Sequence, residues 1–158
     1  MIYMFKNLWE SFIFTPQKLY KPNCATKMQM NSKNLVLNGT IVSGLGEGAY
    51  FMSMLHYEKE IRKKLGFNAY PGTLNLKVGR KQINLLKKNN PIKIDGFKTA
   101  DKTFGGADCY RARVKNIDGS IIIPYLSKHR NVIEFIAPVR LKSGLKLKDG
   151  DKIEVELL

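Results

Sequence analysis

The sequence predicts a mainly β protein, a small barrel of about six short strands with one or two short helices, built from residues 35–158. Three observations carry that expectation. Short stretches dominated by β-branched and aliphatic side chains recur through this part of the chain, several of them alternating apolar and polar at period two. Turn signals separate them, notably Asp118-Gly119 and Asp149-Gly150. Firm helical spacing occurs in only one place, and so many strands with so little helix leave exposed edges unless the sheet closes on itself.

Taken in order, Leu35–Ser43 reads as the first strand, with Gly39 allowing a bulge or a close backbone approach. A helix follows over Tyr57–Leu65. Tyr57, Ile61 and Leu65 repeat every four residues, Glu58→Arg62 and Glu60→Lys64 are i,i+4 pairs, and Gly66 stands where a C-terminal cap belongs. Thr73–Val78 alternates as a strand, and Gln82–Lys88 reads as a second short helix. Tyr110–Lys115 alternates apolar residues with Arg111, Arg113 and Lys115. Asp118-Gly119 is expected to turn the chain into the apolar run Ile121–Ile123, after which Val132–Ile136 and Lys152–Leu157 complete the set.

Residues 1–34 differ in composition. They hold six of the 16 aromatics, four of the six methionines and one acid against five lysines. They are expected to form an N-terminal appendage. Phe5, Leu8, Trp9 and Phe12 have amphipathic spacing that Pro16 would end, which predicts a short helix docked on the barrel.

Of the 158 residues, 27 are Lys or Arg and 13 Asp or Glu, a net charge of +14 that favours anionic partners. Twenty-one of the basic residues are lysine, spread over every segment, so a solvated surface accounts for them as well as a phosphate field does. Cys24 and Cys109 match no CxxC pattern, which points away from a disulfide framework or zinc site and towards a cytoplasmic location. No apolar run approaches the roughly 18 residues that a membrane helix needs, so no membrane association is expected.

Four constellations carry candidate chemistry. Ser43-Gly-Leu-Gly-Glu-Gly48 places a glycine at every second position. Such a loop turns successive backbone N–H groups towards one anion, or merely connects two strands. It is neither a Walker A nor a Rossmann sequence. Thr73 and Asn75 share the strand face opposite Leu74 and Leu76, as magnesium oxygen donors beside a nucleotide or as a solvated polar face. Glu134 lies between Val132 and Ile136 at period two, and a carboxylate among apolar neighbours needs a partner, whether a ligand hydroxyl or a structural cation. Arg140 and Lys142, with Ser143 beside them, form a basic turn that is able to bind phosphate or base edges, or is simply solvated. His56 and His129 have no ligand spacing and no paired nucleophile.

The order and wording of five segments closely resemble the archaeal-type CTP-dependent riboflavin kinase family. They are Gly39-Thr-Ile-Val-Ser-Gly-Leu-Gly-Glu-Gly-Ala-Tyr-Phe51, Leu65-Gly-Phe67, Pro71-Gly-Thr-Leu-Asn-Leu76, Ile133-Glu-Phe-Ile-Ala-Pro138 and Leu147-Lys-Asp-Gly-Asp151. The resemblance implies a cradle-loop barrel over residues 35–158 that moves the γ-phosphoryl of CTP to the 5′-hydroxyl of riboflavin, giving FMN and CDP. It implies nucleotide contacts from Leu45, Gly46, Glu47, Gly48, Ala49 and Tyr50, and from Arg140, Leu141, Lys142 and Ser143. Thr73 and Asn75 would coordinate one magnesium ion. Glu134 would meet the flavin, together with Ser127 in a loop where the family usually has threonine and where this chain is one residue shorter. A catalytic role for Glu134 and a monomeric state are further expectations. The competing reading is a basic β-barrel of transcription-factor type; the pocket described by Gly46, Asn75 and Glu134 weighs against nucleic acid as the partner.

Overall fold

In a computed structural model of the chain, residues 34–44, 46–127 and 130–158 are described. The helix expected over Phe5–Phe12 lies outside them, as does Leu45. Nine strands and four short helices are present among the described residues. Six strands close an antiparallel barrel in the order β6 (Ala107–Val114), β7 (Ile117–Pro124), β8 (Val132–Ile136), β2 (Leu74–Val78), β1 (Val36–Val42) and β9 (Lys152–Leu157). Closure comes from β9, which pairs with β1 along one edge and with Ala112–Val114 of β6 along the other. A seventh strand, β3 (Ile92–Ile94), takes the remaining stretch of that β6 edge, opposite Ala107–Cys109.

Alternation decides which side chains fill the barrel. Leu37 and Ile41 of β1, Leu74 and Leu76 of β2, Ile121 of β7, Ile133 and Phe135 of β8, and Val155 of β9 point inward and are almost wholly buried. Gly39 also faces inward. A Cβ there would sit 3.1 Å from Leu76 Cβ and Val78 Cγ1, so glycine answers the sequence expectation of a close approach. Helix α3 (Arg80–Leu86) adds Ile83 and Leu86 to this interior cluster, and α4 (Leu141–Gly144) adds Leu141.

A second apolar layer lies on the outer wall. Helix α2 (Leu55–Leu65) lays Tyr57, Ile61 and Leu65 against Ile94, Cys109, Ile122 and Ile136. Its C-terminus ends at Gly66, φ +85°, as its sequence predicts. Arg111 also satisfies the carbonyls of Leu65 (2.8 Å) and Lys64 (3.2 Å), anchoring the helix end to β6. The Glu60–Lys64 pair forms at 2.6 Å, and Lys64 also meets Asp95 at 2.6 Å.

Two expectations are corrected. Asp118-Gly119 is not a turn: both residues lie inside β7, and the reversal falls at Lys115-Asn116, with Lys115 at φ +54°. Gly119 is needed there for space, because a Cβ would meet the Phe135 ring at 2.7 Å and the Ile136 carbonyl. The glycine segment is not a strand-to-strand connection either. It opens helix α1 (Glu47–Met52), whose first residue follows Gly46 at φ +82°. Also unforeseen are β3, α4 and a small hairpin of β4 (Phe97–Lys98) with β5 (Thr103–Phe104).

The Gly119→Ala variant is expected to lose about 1–3 kcal/mol through overpacking against the Ile136 carbonyl and the Phe135 ring, read as a lowered thermal or urea midpoint. Cys109 is fully buried and its thiol is pushed up to about 12 by desolvation. Peptide mapping after iodoacetamide treatment at pH 8 is expected to find Cys109 unmodified in the native protein and modified after denaturation.

Candidate functional site

The strand register lines up one transverse row of outward-facing residues across the barrel wall. Val42 pairs with Asn75, Asn75 with Glu134, Glu134 with Ile122, and Ile122 with Cys109. The row changes character along its length, polar at Asn75 and Glu134 and apolar from Ile122 onward. Above it lies a cavity of about 780 Å³, within the roughly 300–1,000 Å³ range of small-molecule sites. The cavity is therefore outside the barrel, and the lumen is filled by side chains.

The polar half is covered by the glycine loop. Gly44 lies directly against the Asn75 carboxamide, where a Cβ would collide with Nδ2. Gly48 lies against Thr73, where a Cβ would come within 2.6 Å of Oγ1. The alternate glycines thus let backbone approach the two oxygen-bearing side chains at a distance no other residue allows. Asn75 Nδ2 and Thr73 Oγ1 are 3.5 Å apart and part-buried. Arg140, Leu141 and Lys142 line the same cavity.

The apolar half is built by α2, the β4–β5 hairpin and the loop after β7. Phe97 and Phe104 stack across the hairpin with centroids 4.6 Å apart, and Tyr57 packs edge-on against Phe97 at 5.6 Å. The Tyr57 hydroxyl donates to the Gly105 carbonyl at 2.5 Å, and burial raises its pKa. Tyr125 anchors the following loop: its N–H donates to Gly106 O at 2.9 Å and its hydroxyl to Asp108 at 2.8 Å, pushing the phenol up to about 12. Leu126 folds over Gly105 and, with Ser127, lines the cavity.

Most of the residues singled out from sequence meet here. Gly46, Glu47, Gly48, Ala49, Tyr50, Thr73, Asn75, Ser127, Glu134, Arg140, Leu141 and Lys142 all line the one cavity. Ser143 does not; its hydroxyl donates to the Arg140 carbonyl at 3.3 Å, within its own turn. Leu141 is 5% exposed and belongs mainly to the core. Residues missed from sequence include Tyr57, Lys102, Phe104 and Leu126. A ring at Tyr57 on a helical apolar face was readable only as core, and the hairpin carries no periodic signal.

As a metal site the arrangement offers neutral oxygens, Thr73 Oγ1 and Asn75 Oδ1, with the Glu134 strand position opposite Asn75. Among the described residues no group of three or more His, Cys, Asp or Glu side chains could hold an ion. This donor set fits magnesium, which commonly takes one or two protein oxygens and completes its shell with water and substrate phosphates.

Comparison with known proteins gives the chain's relatives. A family model named for CTP-dependent riboflavin kinase, and described as domain of unknown function DUF120, matches residues 41–157. The chain is similar to a riboflavin kinase of Archaeoglobus fulgidus, 39% identical over 147 residues covering 90% of this chain and 63% of that protein. It is also similar to riboflavin kinases of Pyrobaculum aerophilum, 40% identical over 81% of this chain and 63% of the relative, and Methanocella arvoryzae, 42% over 77% and 56%. The chain therefore spans only about three fifths of the length of the curated relatives it matches. With the family model covering most of the barrel and its site, the chain belongs to the archaeal-type CTP-dependent riboflavin kinase family.

Proposed function

We propose that this chain is a phosphotransferase that moves the γ-phosphoryl of CTP to the 5′-hydroxyl of riboflavin, giving FMN and CDP. The observation that carries the reading is the pairing of Asn75 with Glu134 beneath the glycine loop, at the junction of a polar and an apolar half-cavity. The polar half suits a triphosphate: Gly46, the first residues of α1 and the cations Arg140 and Lys142 line it. The apolar half suits a fused aromatic ring, with Tyr57, Phe104 and Leu126 as its walls. The family model's name supports CTP as donor, and the relatives' printed name supports riboflavin as acceptor.

In this reading Thr73 and Asn75 would hold magnesium with the nucleotide, and the ion would supply charge neutralisation at the phosphate oxygens. Gly44 and Gly48 keep the loop low enough for its N–H groups to reach the same phosphates. Glu134 accepts the proton of the ribityl 5′-hydroxyl as that oxygen bonds to the γ-phosphorus. The bond from phosphorus to the β–γ bridging oxygen breaks, and CDP leaves with that oxygen. Ser127 orients the ribityl chain. In this reading the residues named here come from one chain, and a monomer is proposed as the working unit. No helix of the described residues is long and apolar enough to cross a membrane.

Incubation with riboflavin, magnesium and CTP is expected to yield FMN by chromatography, with ATP a poorer donor; a protein that makes no FMN from any nucleotide, but shifts duplex DNA, reverses the reading. The Glu134→Gln variant is expected to lose about 10²–10⁴ in kcat with little change in KM for CTP, in steady-state assays. Gly48→Val, by filling the space against Thr73, is expected to abolish CDP binding in calorimetry while shifting the melting midpoint only slightly.

A further inference from the structure

We propose that Asp149 is a positioning residue that clasps the glycine loop to the basic α4 segment and so fixes how the two walls of the nucleotide subsite face each other. The inference rests on the kinase reading above. It concerns a residue that does not line the cavity and that the sequence pattern marked only as part of a turn.

Two segments nearly a hundred residues apart in sequence converge on this one carboxylate. Asp149 Oδ2 accepts a hydrogen bond from Ser43 Oγ, and Oδ1 accepts from Lys142 Nζ at 2.6 Å. Ser43 precedes Gly44, the glycine packed on Asn75, and Lys142 is the second residue of α4. Both Ser43 and Lys142 line the cavity.

The carboxylate itself is mounted on a rigid frame. Gly150 adopts φ +94° and donates to the Ile41 carbonyl at 2.9 Å, while Ile41 N–H donates to the Asp151 carbonyl at 2.9 Å. Asp151 in turn accepts from Lys148 N–H at 2.8 Å. The turn is thereby fixed to β1, the strand that leads into the glycine loop. Its contacts with Lys142 and Ser43 hold the Asp149 carboxyl below its ordinary range, so it stays ionised at neutral pH.

The chemistry follows from the donor count of an ammonium group. Lys142 has three N–H donors, and one hydrogen bond to Asp149 leaves two for a phosphate oxygen. A free lysine loses much rotamer freedom on binding an anion. One already tethered has lost part of it beforehand, which favours the bound state. The hydroxyl of Ser43 holds the loop to the same anchor. Asp149 therefore acts on the nucleotide through its neighbours and leaves the flavin half untouched.

The test uses the full chain, Asp149→Asn and Ser43→Ala singly and together, with FMN formation titrated in CTP and in riboflavin and CDP binding measured by calorimetry. Asp149→Asn is expected to raise KM for CTP and Kd for CDP about fivefold, the upper end for a half-exposed pair, with KM for riboflavin within about twofold. The double variant is expected to fall short of the product of the single effects, since both act on one clasp. Unchanged CDP affinity, or an equal rise in KM for both substrates, overturns the assignment. The melting midpoint separates a folding defect from loss of positioning, and Ser43→Ala gives an independent reading should Asp149→Asn fold poorly. A wild-type protein that binds CDP but forms no FMN overturns the kinase reading while the calorimetric comparison still decides the clasp; one that binds no CDP overturns both.

Discussion

The register between β2 and β8 is the constraint from which the site follows. Leu74 and Leu76 meet Phe135 and Ile133 across the ladder, and all four are buried in the lumen. Each is stabilised by roughly 1.5–3 kcal/mol on burial. Slipping one strand by a residue would eject one of these pairs and drive Asn75 or Glu134 inward, where an unpaired carboxylate costs several kcal/mol more. Both terms favour the same alignment, so the pairing of Asn75 with Glu134 on the outer face is settled by the hydrophobic interior behind it. The polar row at this position is a by-product of packing at its neighbours.

Electrostatics then selects among possible ligands. The lining carries Lys102, Arg140 and Lys142 against Glu47 and Glu134, and Asp149 just outside it pairs with Lys142, so the placement of the cations in a partly enclosed space matters more than any net excess. Field lines are concentrated in such a cleft by its low-dielectric walls, so a polyanion gains more there than on the open, lysine-rich surface. The net charge of +14 is thus only a background, and the arrangement of a few cations around the glycine loop is what discriminates.

How much of this was legible in the sequence depends on whether a residue's role was local. The bounds of β9 coincide with its alternating stretch, because period-two patterning and one-sided burial are the same fact seen twice, and those of β8 coincide with its short apolar run Val132–Ile136. Thr73, Asn75 and Glu134 were legible as a face for the same reason. Helix α1 was not, since glycines at 44, 46 and 48 are poor helix formers and only six residues follow the helical path. The hairpin of two-residue strands escaped notice because ring stacking of Phe97 on Phe104, a tertiary contact, holds it together. Gly119 was misread because Asp-Gly is a strong turn signal, whereas the large Phe135 ring reserves that place for a residue without a side chain. Asp149 lay within a recognisable stretch, Leu147–Asp151, yet its partner Ser43 is 106 residues away and nothing in the spacing hints at it.

The lumen of the barrel holds the larger core, while its outer wall carries both the second apolar layer under α2 and the cavity. The pieces that shape the cavity are short attachments: α1, the hairpin and the loop after Pro124. Such an arrangement makes the short attachments the places where a change of sequence reshapes the cavity while the packing of the lumen stays as it is. It also marks where a designer seeking a new acceptor should cut and splice: on the bodywork, never in the frame.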